Sequence, residues 1–100
     1  MKRSYAVVWT RNAAVSAGRL EPLVDRFELY GRERRLSVPF ADLTSASIER
    51  RRDDRLLGLP VLALALRGRA PLRIASLEGP GVLQELADRI EAGSRTVVAA

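Results

Sequence analysis

The apolar positions of this chain fall mostly at alternate residues, and a period of two predicts strands. Tyr5, Val7 and Trp9 alternate with Ala6 and Val8 in a first strand near residues 4–10. A second, weaker strand runs from Val15 to Pro22, with Gly18 inside it and Leu20 as its anchor. Val24, Asp25 and Arg26 form a turn. Phe27 and Leu29 then alternate with Glu28 and Tyr30 in a third strand, which Gly31 ends. The polar stretch at 32–35 predicts the next turn. Leu36, Val38 and Phe40 share one face of a fourth strand, and Pro39, with no N–H for a ladder, puts its end at an edge or a bend. After a corner at Ala41-Asp42, a fifth strand is expected near 43–50, with Ala46 and Ile48 inward and Ser45 and Ser47 outward.

The run V-L-A-L-A-L at 61–66 is apolar on both faces, but the faces differ. Leu62, Leu64 and Leu66 are large; Val61, Ala63 and Ala65 are small. This predicts a strand covered on both sides, the small face under a close neighbour. Residues 67–70 read as a hairpin turn, and Leu72 and Ile74 continue the sheet to about Ser76. Then the period changes. Val82, Leu83, Leu86, Ala87 and Ile90 lie on one helical stripe over 80–92. Pro80 suits the first turn of that helix, and Gly93 is expected to end it as a left-handed residue. The tail 94–100 is expected to be flexible, with Thr96-Val97-Val98 as an alternative addition to an edge strand. About seven short antiparallel strands followed by one amphipathic helix make an α+β domain over 1–93, the helix covering one opening or face of a curled sheet.

The stretches D-R-F-E-L-Y-G-R, R-L-S-V-P-F-A-D-L-T-S-A-S-I, G-L-P-V-L-A-L-A-L-R-G and P-L-R-I-A-S-L, with the closing helix, resemble the bacterial pleckstrin-homology-like (PH-like) domains over residues 18–92. The resemblance implies a PH-like superfold: about seven antiparallel strands in two near-orthogonal sheets, an open barrel capped by the C-terminal helix. It implies no phosphoinositide site. Lipid-binding relatives place a K-x(n)-K-x-R pattern around their first hairpin, where this chain has only Arg11 and Arg19, widely spaced. The tryptophan those domains often carry in the helix is absent; Trp9 is the only one.

Composition narrows the chemistry. Hydrophobic residues make up 47% of the 100 residues but only five are aromatic, so the core must be aliphatic. There is no cysteine and no histidine. A disulfide framework and a thiolate metal site are thereby excluded, and the commonest general base and the commonest transition-metal ligand are missing together. The serines have no imidazole to activate them, and Lys2 at the terminus is a poor substitute. Asp53 and Asp54 are adjacent in a loop, where their side chains diverge. G-P-G at 79–81 opens a helix, but Pro80 lacks a donor and no Lys-Ser/Thr follows. No enzyme, cofactor or metal is expected. The apolar run at 56–66 is too short to span a bilayer, which takes about 20 residues. The apolar stretch before Arg11 is shorter than the roughly 7–15 residues of a signal-peptide core. The expected location is cytoplasmic.

Net charge is +5, from 16 arginines and one lysine against 12 acids. Two clusters carry the candidates. Residues 49–55, within I-E-R-R-R-D-D-R, set Arg50, Arg51, Arg52 and Arg55 against Glu49, Asp53 and Asp54, a net of one positive charge. An anion clamp needs charge that its neighbours have not already neutralised, so the expectation is a solvated loop with self-paired charges, and the alternative is an anion site. Residues 32–35 set Arg32, Arg34 and Arg35 against Glu33, a net of two. If the two loops converge at the open end of the barrel, the seven arginines form one basic rim. The helix has the opposite sign, and its Glu85 and Arg89 are expected to pair at i, i+4. Tyr5, Trp9 and Tyr30 could stack bases, but Tyr5 and Trp9 flank Val7 at core spacing, so nucleic acid is not an expected partner.

A non-catalytic binding module follows from these points. The leading expectation is protein or peptide binding, or self-association, through an exposed sheet edge or a groove beside the helix; the strands near 4–10 and 43–48 are the expected edges. The alternative is binding of anionic lipid headgroups through the arginine loops, with the protein peripheral at a membrane surface. A third reading is an accessory domain of a larger assembly with no ligand of its own.

Overall fold

The computed structural model describes residues 3–32 and 34–99, with side chains as far as Arg95. Its elements are β1 (Tyr5–Arg11), β2 (Ala14–Pro22), β3 (Arg26–Gly31), β4 (Arg35–Pro39), β5 (Leu43–Glu49), β6 (Val61–Leu66), β7 (Leu72–Ser76) and α1 (Pro80–Ala99). Every strand expected from the period-two pattern is present, with ends shifted by a residue or two. Arg11 lies opposite Ala14. Asn12 and Ala13 are therefore a two-residue turn, and both have positive φ (53° and 66°). That backbone twist matches the twist of the flanking strands, which is why such turns close hairpins.

The strands form one antiparallel sheet in the order β4-β3-β2-β1-β7-β6-β5. It curls into a half-barrel with α1 against it. The N-terminal strand, expected at an edge, is the central strand. β7 returns beside it, with Val7 opposite Ser76 and Thr10 opposite Arg73. The sign of this was Val8, an apolar residue on the face opposite Tyr5, Val7 and Trp9, because a strand apolar on both faces is covered on both.

The inner face holds Tyr5, Val7, Trp9, Leu20, Phe27, Leu29, Val38, Leu62, Leu64, Leu72 and Ile74 in one cluster with Leu83, Leu86, Ala87 and Ile90 of α1. On the outer face, Val8, Val61 and Ala75 form a second cluster under Leu56, with Leu59 packed against it. The segment after β5 thus folds back over the small face of β6, at its Val61 end.

Between β4 and β5 the chain makes a short 3-10 turn, Phe40–Asp42. It turns the chain from one sheet edge to the other, and Phe40 enters the core there, 1% exposed. The helix does not end at Gly93. It continues to Ala99, so residues 94–99 are helical and not a tail or an added strand; Ala100 lies outside the described residues. Gly93 serves space, not a left-handed turn. A Cβ there would sit 2.6 Å from Cε2 of Phe40. The helix passes that close to the 3-10 turn only because the position has no side chain.

Candidate functional site

A sheet edge becomes a docking site only if its outward N–H and C=O groups are free. Of the two edges here, β4 is obstructed at Ser37 and Pro39. Pro39 has no N–H, and Nη1 of Arg69, from the β6–β7 hairpin, donates to the Ser37 carbonyl at 3.0 Å. The Arg69 Nε also lies 3.5 Å from Oδ2 of Asp42, which ties that hairpin to the 3-10 turn.

β5 is different. It pairs with β6 on one side and ends the sheet on the other. Its register shifts between Leu43 and Ser45, and the Thr44 hydroxyl donates to the Ala65 carbonyl at 3.1 Å. A bulge of this kind bends the strand locally. From Ser45 to Glu49 the ladder with β6 is regular. Alongside runs α1, and the space between them is a cavity of about 250 Å³ lined by Leu43, Thr44, Ser45 and Ala46 of β5 and Glu91, Ser94 and Arg95 of α1. Two of the three helix residues lie beyond Gly93. The period of the helix continues through Ile90, Gly93 and Val97, and that continuation was the signal for the longer helix and its groove.

The β3–β4 hairpin carries the first arginine cluster, whose Glu33 lies outside the described residues. Arg26, Glu28 and Tyr30 alternate along the outer face of β3, and Arg35 lies opposite Tyr30. Their side chains close over Glu28, which is 3% exposed. The Tyr30 hydroxyl donates to its Oε2, Arg35 donates to the same oxygen at 2.7 Å, and the Arg26 Nε donates to Oε1 at 3.2 Å. The guanidinium of Arg35 also stands over the Tyr30 ring, 5.2 Å from its centroid. The Tyr30 hydrogen bond, then that of Arg35, hold the Glu28 carboxyl down at about 2 although burial opposes them. The same hydrogen bond raises the Tyr30 phenol. Arg35 therefore already has an anion, and it is one of the seven arginines expected at an anion site. Arg34 and Arg35 border a cavity of about 340 Å³ with Trp9, Arg11, Ser16 and Leu36. Arg32 and Arg34 border another with Val15, Ser16 and Gly31. Arg11 stands alone in sequence but joins Arg34 and Arg35 around the first of these cavities.

Arg50, Arg51, Arg52 and Arg55 sit in the β5–β6 connection. The sheet order places β2, β1 and β7 between the strands of this connection and those of the β3–β4 hairpin. The two loops share no hydrogen bond or ion pair among the described residues. The expected self-pairing of charges within 49–55 is not found. Among the described residues, no carboxylate lies within 4.0 Å of these four guanidinium groups. The loop is held by its backbone instead. Asp54 N–H donates to the Arg51 carbonyl at 3.0 Å, the Arg55 Nε donates to the Arg50 carbonyl at 3.2 Å, and Arg73 donates to the Asp54 carbonyl.

The helix pairing also differs from expectation. Glu85 does not meet Arg89. It accepts from the Tyr5 hydroxyl at 3.2 Å and lies 3.9 Å from Arg3, whose guanidinium covers the Tyr5 ring at 4.5 Å. Tyr5 lies beneath the start of α1, so the nearest partner comes from the sheet and not from the next helical turn. Tyr5 and Trp9 are core residues, 0% and 4% exposed, and offer no stacking platform.

Among the described residues, no group of three or more carboxylates is placed to hold a metal ion, and no helix is long and apolar enough to cross a membrane. No family model matches the chain, and no curated protein matches it. Among solved structures, the C-terminal domain of an unknown protein from Leishmania infantum superimposes with a TM-score of 0.65 at 10% identity, over 88% of this chain and 81% of that one. At that identity the likeness concerns the fold alone.

Proposed function

We propose that the chain is a non-catalytic, PH-like binding module that takes an extended segment of a partner protein as an eighth strand on β5. In this reading the curled sheet is a β1–β4 half and a β5–β7 half crossing near right angles, and α1 caps the open side. The supporting observation is the pairing of an open edge with a groove. Ser45–Glu49 offers main-chain partners on its free side, and the cavity between Leu43, Ala46, Ser94 and Arg95 receives side chains from the added strand. Main-chain hydrogen bonds contribute about 0.5–1.5 kcal/mol each and are blind to sequence, so the groove supplies the selectivity. The absence of histidine and cysteine supports the non-catalytic part of the reading.

The test is selection of peptides from a displayed random library, followed by titration of a selected peptide into isotope-labelled protein. Amide shifts are expected in Leu43–Glu49 and along α1 from Glu91 to Arg95. Ser94→Tyr, which fills the groove from the helix side, is expected to abolish binding while leaving the thermal transition in place. Shifts confined to other surfaces, or concentration-dependent shifts on β5 without peptide, would replace the proposal; the second result means that a copy of the chain itself occupies the edge.

A further inference from the structure

The most unusual residue on the surface is Leu57. It is 70% exposed and has a left-handed backbone, with φ of 52°. Its neighbours hold it there. Leu56 N–H donates to the Leu59 carbonyl at 3.0 Å, and Leu59 N–H donates to the Leu56 carbonyl at 2.9 Å. Leu57 and Gly58 are therefore the two tip residues of a minimal hairpin, a position that Asn, Asp and Gly normally fill. A left-handed backbone is costly for a residue with a branched side chain. The hairpin's base is anchored, with Leu56 buried and Leu59 packed over Val8, Val61 and Ala75. Its tip stands clear; a Cβ added to Gly58 would meet nothing within 4 Å. The sequence thus holds a bulky apolar side chain out in water, on a rigid base, where a polar residue would be the easier choice.

The arginines of the same connection add the second observation. Arg50, Arg51, Arg52 and Arg55 precede the tip, and none is ion-paired among the described residues. Glu49, Asp53 and Asp54 cut the net charge of residues 49–55 to one, but the chain as a whole adds to it, at +5. An exposed apolar tip in the same connection as four guanidinium groups without ion-pair partners is complementary to an anionic bilayer surface. There the leucine leaves water for the acyl boundary and the arginines remain among the headgroups. We propose that the β5–β6 connection docks this protein on anionic membranes, with Leu57 as the inserting side chain and Arg50, Arg51, Arg52 and Arg55 as headgroup contacts. This stands apart from the peptide groove, and either proposal survives failure of the other.

The experiment is sedimentation of the full chain with vesicles of phosphatidylcholine and phosphatidylglycerol, against vesicles of phosphatidylcholine alone. Binding is expected on the anionic vesicles only, and is expected to weaken as salt is raised. Leu57→Asn suits the left-handed backbone, so it is expected to keep the fold while lowering partition by roughly fivefold to tenfold. Replacing the four arginines with glutamine is expected to lower it by about fivefold per charge lost. The chain has no cysteine, so Leu57→Cys accepts a single environment-sensitive dye, whose emission is expected to shift to the blue on anionic vesicles. The proposal is overturned if the parent chain fails to sediment, or if Leu57→Asn sediments like the parent. Retention on a single-stranded oligonucleotide with none on vesicles also overturns it, because the arginines would then serve nucleic acid.

Discussion

Glu28 shows how much one side chain can organise on a sheet surface. It is an outward-facing residue of β3, yet Arg26, Tyr30 and Arg35 bury it and occupy both of its oxygens. The charge-assisted bonds outweigh the cost of burial, and the carboxyl stays ionised down to about pH 2. Its folded pKa lies below the ordinary carboxylate value of 4.5. The group therefore contributes stability that is complete above about pH 4.5 and is lost as pH falls toward about 2. Thermal scans across that window are expected to show a declining midpoint in the parent and a flatter profile in Glu28→Gln. An identical decline in both would assign the acid sensitivity to other carboxylates. The alternation along β3 put Glu28 on the outer face. Its burial was not legible, because it depends on Arg35, seven residues on, which reaches Glu28 only once the β3–β4 hairpin closes.

At the scale of elements, α1 and the 3-10 turn define each other. Two glycines in the helix separate propensity from packing. Gly81 has nothing within 4 Å of an added Cβ, so Gly81→Ala gains helix propensity and is expected to stabilise by up to about 1 kcal/mol. Gly93→Ala gains the same propensity but drives a methyl into the buried Phe40 ring, and overpacking of a filled core costs about 1–3 kcal/mol. The net is a loss. Urea unfolding followed by the fluorescence of Trp9, the only tryptophan, reads both variants. Phe40→Leu is expected to remove most of the penalty in combination with Gly93→Ala. Additive effects in that double variant would show that ring and glycine are not coupled. A glycine near the end of a helical pattern reads as a stop when only the local sequence is in view. The Phe40 ring, brought in by a turn some fifty residues earlier, reverses that reading.

Across the whole molecule, the sheet has a stiff centre and one open side. β1 is paired on both flanks, covered inside by the main core and outside by Val8 under Leu56. β5 is paired on one flank only and carries a bulge. Native-state hydrogen exchange is expected to be slowest at Val7, Val8 and Trp9 and fastest, among the strands, in β5. Equal protection in both would mean that β5 is covered in solution, by another copy of the chain or by a different packing of α1. An edge in this low-stability class is the one that adapts to an added strand, and the two proposed surfaces follow from it. The groove lies along β5, and the arginine and leucine loop leaves from its end.

The sequence by itself determined the seven strands, the helical stripe, a core that is mostly aliphatic but takes in Tyr5, Trp9, Phe27 and Phe40, and the absence of imidazole and thiol chemistry. Each of these is a property of residue type and short-range period, and a period survives whatever the distant chain does. The tertiary structure decided which strand is central, where the helix stops, which arginines are already engaged and which carboxylate they engage. The first two are contacts between residues far apart in the chain, and the last two join Glu28 to arginines two and seven residues away through the folded β3–β4 hairpin. All of them depend on how the strands pair and the sheet curls, which residue type and short-range period leave open.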